Sequence, residues 1–186
     1  MQPNPERLLL ALDECLDHEV SLVLYGRGGI WMGFEGAPSG VAYTKDIDGI
    51  IRLNQLDALV ADSGFWDAKD AVNARFENEK LYITHLFQED QVFLRRNWEA
   101  YLVPVTKIKF RHLKLSRPAG LDFILTKMMR GDDEQDMADA AFIIKHDHIT
   151  KAQLLQAFSE INPIDLIELQ DAFDRARPVV LKMAFD

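Results

Sequence analysis

The sequence predicts an α/β fold that ends in a helical portion, and three observations carry that prediction. Short β-rich runs at Val20–Tyr25, Asp46–Leu53 and Leu81–Phe87 are separated by segments with helical spacing, the order of an α/β sheet. After Pro118 the pattern becomes purely helical to the end of the chain. With 186 residues, 48% hydrophobic and 27% charged, the chain is long enough to bury a substantial core. No repeat, low-complexity stretch or linker divides it. One domain is therefore expected over residues 1–186, with an α/β core at 1–117 and a helical portion at 118–186.

Pro3–Glu19 places Leu8, Leu9, Leu12, Cys15 and Leu16 on one face, an amphipathic helix with Cys15 in the core. Val20–Tyr25 is a β-rich run ended by glycine. A helix is expected from Gly28 to Phe34, and the glycines and proline of Glu35–Gly40 mark a loop. Asp46–Leu53 reads as a strand and Gln55–Ser63 as a helix closed by Gly64, while Asp67–Lys80 fits helix and irregular structure equally. Leu81–Phe87 alternates as a strand, with Tyr101–Val105 and Ile108–Leu115 as further strands. Beyond Pro118, Leu121, Ile124, Leu125 and Met128 form an apolar stripe, and Phe123, Lys127 and Arg130 lie on another side. Gly131 ends that helix. Asp133–His146 forms the next, with Met137, Ala141 and Ile144 inward and Asp132, Asp136 and Asp139 on the opposite face. Helices at Lys151–Glu160 and Pro163–Arg175 follow, and Pro178 is expected to interrupt the last.

Charge and composition narrow the function classes. Thirty acidic against 21 basic residues give a net charge of −9, which disfavours non-specific nucleic-acid binding, although one local basic patch suffices for a specific RNA. A single cysteine excludes an internal disulfide. The opening Met-Gln-Pro-Asn-Pro-Glu does not read as a signal peptide and no apolar stretch is long enough to span a bilayer, so a cytoplasmic protein without membrane contact is expected. Trp31, Trp66 and Trp98 are scattered and suggest no base-stacking platform.

The chemistry concentrates between Val20 and Ile51. Asp46 and Asp48, two apart on a strand flanked by Ile47, Ile50 and Ile51, project from one face. Two carboxylates held that close repel each other, an arrangement that a bound cation relieves. Upstream, Gly26-Arg27-Gly28-Gly29 sits where a strand meets a helix and offers bare backbone N–H groups to a phosphate. Arg27 is placed to pair with a phosphate as well. A phosphate cradle with Mg²⁺ carboxylates is the equipment for moving a nucleotidyl or phosphoryl group.

Leu24-Tyr25-Gly26-Arg27-Gly28-Gly29 followed by Thr44-Lys45-Asp46-Ile47-Asp48 resembles the signature of the nucleotidyltransferase superfamily. Leu125-Thr126-Lys127-Met128-Met129-Arg130-Gly131, leading into Gln135-Asp136-Met137-Ala138-Asp139, resembles the helical segment of its AbiEii-like branch, the toxin-type bacterial proteins of abortive-infection and toxin–antitoxin systems. The resemblance implies a minimal nucleotidyltransferase mixed sheet with flanking helices. It also implies a bacterial, Mg²⁺-dependent enzyme that moves a nucleoside monophosphate from an NTP to an acceptor hydroxyl on tRNA, a protein or a small molecule, accompanied by an antitoxin. In that scheme Asp46 and Asp48 hold the metal. The glycine pair of the signature falls on Gly28-Gly29, with Arg27 where a hydrophobe is usual, or on Gly26-Arg27. Lys127 contacts the triphosphate with Arg130 beside it, and Asp136 serves as base for the acceptor or as partner of Lys127.

The pattern departs from many nucleotidyltransferases in a second respect besides Arg27. Leu81–Phe87, where a third carboxylate is often found, offers Thr84-His85-Leu86, with Glu89 and Asp90 just beyond. His146-Asp147-His148 reads as a solvated helix end rather than a metal clip. A nucleotide-binding or protein-interaction module that does not catalyse is the alternative these departures leave.

Overall fold

In the computed structural model, which describes residues 2–186, the chain falls into two units. The first comprises residues 2–88 and Val103–Arg117, the second Glu89–Leu102 and Pro118–Asp186. In the first unit the elements are α1 (Asn4–Cys15), β1 (Val20–Tyr25), α2 (Gly26–Gly33), β2 (Asp46–Ile51), α3 (Leu53–Ala61), α4 (Ser63–Phe76), β3 (Tyr82–Gln88), β4 (Val103–Pro104) and β5 (Leu113–Arg117). The second unit holds α5 (Gly120–Lys127), α6 (Glu134–Asp147), α7 (Lys151–Ser159) and α8 (Ile167–Met183). Residues 89–102 group with the helices that follow Pro118.

The first unit is a mixed five-stranded sheet in the order β3-β2-β1-β5-β4. β1 runs antiparallel to β2 and parallel to β5, β2 runs parallel to β3, and β4 runs antiparallel to β5. Alternation along β1 sends Val20, Leu22 and Leu24 to one face, where Leu8, Leu9 and Leu12 of α1 and Phe65, Val72 and Phe76 of α4 cover them. Burying each such side chain contributes about 2 kcal/mol. Tyr25 pairs with Asp48 across the β1–β2 ladder, so Asp48 and Asp46 lie on the face opposite to that core.

Several boundaries differ from the sequence reading, each for a local reason. Cys15 is exposed, because it is the last residue of α1 and Leu16 occupies the buried position instead. Gly64 lies in the first turn of α4 rather than closing the preceding helix; the Asp62 carboxylate accepts from the Phe65 N–H at 2.9 Å and starts α4 there. The ambiguous stretch after Asp67 is helical to Phe76. The Asn73 amide then pairs with both backbone groups of Ile83 at the edge of the sheet, at 2.7 and 3.0 Å. The strand expected at Ile108–Leu115 begins only at Leu113. The Asp13 carboxylate binds the N–H groups of Arg111, His112 and Leu113 at 2.8–2.9 Å and holds the preceding residues as a loop.

In the second unit, the Asp133 side chain caps α6 and a reciprocal Thr150–Gln153 pair caps α7. Gly131, at φ 73°, turns the chain after Arg130. Ile124, Leu125, Met128, Ile143 and Ile144 are buried, as are Ala172, Ala176 and Val180 at four-residue intervals on α8. Pro178 does not interrupt α8, which continues to Met183. Its ring faces solvent, so the carbonyl it leaves unbonded is one turn back on the wet side, and buried Ala176 and Val180 hold the helix on either side. Arg95 explains why residues 89–102 group here. Its guanidinium and backbone N–H engage the fully buried Asp122 of α5 at 2.7–3.0 Å, and a buried charge this well paired pins the segment to the helix.

Candidate functional site

The residues singled out in the sequence fall into two groups, one in each unit. The first gathers around Asp46 and Asp48. β-branched neighbours and the ladder to β1 make residues 46–51 a strand, and the period of two brings both carboxylates to one face. The Thr44 hydroxyl donates to Asp46 Oδ1 at 2.7 Å and so orients that carboxylate. Asp48 is only 15% exposed, and burial first and the neighbouring Asp46 second raise its pKa above the ordinary carboxylate value. Its Oδ1 lies 3.1 Å from His85 Nδ1 and accepts from the Thr84 hydroxyl at 3.4 Å.

Both partners come from one irregularity. Ile47 pairs with Ile83 but Gly49 pairs with Leu86, so β3 has an extra residue where β2 has Asp48. That bulge sets Thr84 and His85 side by side against one carboxylate, the re-aiming of side chains for which bulges serve near functional sites. The strand expected to supply a third carboxylate thus contributes a hydroxyl and an imidazole.

On the other side of Asp48 stands Gly26. Its φ of +63° suits glycine, and a methyl group there would come within 2.5 Å of Asp48 Oδ2. A methyl on Gly28 would meet Ile47 Cδ1 at 2.7 Å and the Asp46 carbonyl at 3.3 Å. Gly29 is buried in the first turn of α2. The side chain of Arg27 reaches toward the turn at Ser39–Tyr43, where a methyl on Gly40 would stand 3.5 Å from Arg27 Nη2. The first N–H groups of α2 have no intrahelical partner, and its N-cap, Tyr25, makes no side-chain cap. Gly26, Thr84 and His85 join the predicted residues here. Gly26 was legible as the first glycine of the run, but the pairing of His85 with Asp48 depends on a register that no local pattern reveals.

The second group lies in the helical unit. Lys127 Nζ donates to Asp136 Oδ1 at 3.1 Å and to Asp139 Oδ2 at 2.7 Å, and all three side chains are at most 7% exposed. Arg130, largely exposed, donates through Nε to Asp136 Oδ2 at 2.5 Å and through Nη2 to Asp133 at 3.2 Å. Lys127, Asp136 and Asp139 therefore lie inside the unit, not on a solvated helix face, and Asp136 is the partner of Lys127.

The two carboxylates with their hydroxyl and imidazole neighbours offer hard oxygen donors, which suit Mg²⁺. This ion keeps several waters and is usually held by one or two carboxylates plus substrate phosphates. No set of three or more His, Cys, Asp or Glu side chains poised to hold a metal occurs among the described residues. His146 pairs with its neighbour Asp147 at 2.6 Å, and His148 ends α6 in a left-handed conformation. No helix among the described residues is long and apolar enough to cross a membrane. Neither a protein family, a characterised protein nor a solved structure gives a significant match to this chain.

Proposed function

We propose that the protein is a Mg²⁺-dependent nucleotidyltransferase of the AbiEii-like kind, moving a nucleoside monophosphate from an NTP to an acceptor hydroxyl. The observation that carries this reading is the pair Asp46 and Asp48, adjacent on one strand face, with Asp48 partly buried, charge-crowded and walled by a glycine of positive φ. A buried carboxylate beside a second one gains most from a divalent cation, which neutralises both.

Asp46 and Asp48 would hold the ion, and Mg²⁺ at this place supplies charge stabilisation for the triphosphate and the departing pyrophosphate. Thr44 and His85 fix the directions of the two carboxylates, leaving Asp48 Oδ2 toward Gly26. The backbone N–H groups at the start of α2, with Gly28 and Gly29 in its first turn, suit a phosphate. Arg27 is the cation proposed for phosphate contact beside this strand, and Asp136 has the role of partner of Lys127. tRNA, a protein side chain and a small molecule are the candidate acceptors, and an antitoxin is the proposed partner.

The engagement of Lys127 by Asp136 and Asp139 favours a second reading, a nucleotide-binding module without turnover. One experiment separates the two. Thermal melts of the wild type and of Asp46→Asn/Asp48→Asn are recorded with each NTP, with and without Mg²⁺, alongside pyrophosphate release. The enzyme reading expects a Mg²⁺-dependent rise with at least one NTP and pyrophosphate release, both lost in the double variant. A rise without release supports the module, and no rise with any NTP at millimolar concentration removes both.

A further inference from the structure

The proposed site has two ends, and the chemistry above occupies only the phosphate end. Next to Asp48, on the same strand face, the rings of His85 and Phe87 stack with centroids 5.6 Å apart and planes within 8°. Tyr25 meets Phe87 edge-on at 6.3 Å. His85 forms the outer step of this stair, with its side chain 60% exposed. Its plane is fixed from the edge, since Nδ1 lies 3.1 Å from both Asp48 Oδ1 and Thr84 Oγ1.

We propose that the stacked rings of His85 and Phe87 form the platform for the base of the nucleotide substrate. This rests on the nucleotidyl-transfer reading of Asp46 and Asp48 and deepens it. An imidazole parallel to a neighbouring phenyl ring, tied at one edge and 60% exposed, presents a preorganised π surface, and aromatic stacking accepts any base. Position selects the occupant. His85 touches the carboxylate proposed to hold the metal, and Phe87 lies about 7 Å further along the strand. Phosphates held at Asp46 and Asp48 thus leave their own base one sugar away from the stair, whereas a base several nucleotides along an acceptor strand lies beyond it. Stacking rather than edge recognition implies weak discrimination among the four bases, with the larger purines favoured.

The test compares Mg²⁺-dependent binding of NTPs and of inorganic tripolyphosphate by calorimetry, because their ratio reads the nucleoside and its change on substituting His85 reads the ring. His85→Asn keeps a donor for Asp48 but removes the ring; His85→Phe keeps a ring but removes the donor. The wild type is expected to prefer its best NTP about tenfold over tripolyphosphate, with that preference lost in His85→Asn and kept in His85→Phe. A preference unchanged in His85→Asn, or absent from the wild type while both ligands bind, overturns the platform and leaves the transferase reading standing. Failure of both ligands to bind the wild type overturns platform and parent reading together. Dependence on the His85 ring seen with a single-stranded RNA oligonucleotide and not with NTPs assigns the rings to the acceptor and equally overturns the proposal.

Discussion

The two acidic clusters of this protein contain similar groups in opposite electrostatic states. Asp136 and Asp139 are buried, yet Lys127 lies between them and Arg130 covers one from outside, so the charges are matched within the unit. Among the described residues, Asp46 and Asp48 have only a threonine hydroxyl each and one imidazole, and burial and the neighbouring Asp46 raise the pKa of Asp48. A matched cluster has no need of a ligand and contributes to the integrity of the helices around it. An unmatched one is costly until a cation arrives, and proteins concentrate such costs at functional sites.

Removing the cation from the matched cluster gives the largest expected effect. Lys127→Met leaves two buried carboxylates facing each other and is expected to destabilise the protein by about 3–5 kcal/mol in urea unfolding. A loss below about 1 kcal/mol would mean that water reaches Asp136 and Asp139, and the contrast between the clusters would disappear. Gly26→Ala comes next, at about 2 kcal/mol, from a left-handed backbone and a methyl driven against Asp48 Oδ2. In an Asp48→Ala background the same substitution should lose about half its effect, since only the backbone part remains; full additivity would show that the carboxylate is not the obstacle.

The smallest effect carries the most telling sign. In chelator at neutral pH, Asp48→Asn is expected to stabilise the protein by about 1 kcal/mol or less, whereas Asp136→Asn destabilises it. The raised pKa of Asp48 fixes the pH dependence. Ionisation in the folded state opposes folding, so the stability that the protonated form retains is fully present below the ordinary aspartate value of about 3.9. It is lost as pH rises through the elevated folded value. The advantage of Asp48→Asn in thermal melts should therefore be absent at the acid end of that window and grow across it. An advantage that shrinks with rising pH would mean that Asp48 is stabilised as a carboxylate, and the site would resemble the matched cluster after all.

What could be read in advance divides along local and non-local lines. The acidic strand was legible because period-two spacing and β-branched neighbours are local, and the change at Pro118 because helical periodicity is local. The burial of Lys127 was not, since it lies off the apolar stripe of its own helix and the two aspartates that cover it belong to the next one. The role of His85 needed the parallel register of β2 and β3 and its one-residue slip. Cys15 was misplaced by a single position at a helix end, where the stripe no longer predicts burial. The grouping of residues 89–102 with the helices depends on one arginine reaching an aspartate 27 residues away, a contact without local signature.

Asn73 has a consequence for how this molecule behaves in a crowd of its own copies. β3 ends the sheet, and an unpaired strand edge recruits other chains into growing stacks. By satisfying both backbone groups of Ile83 with a side-chain amide, Asn73 acts as a counterfeit neighbouring strand one residue long. An incoming strand must first displace it, so a single amide guards this stretch of the sheet edge.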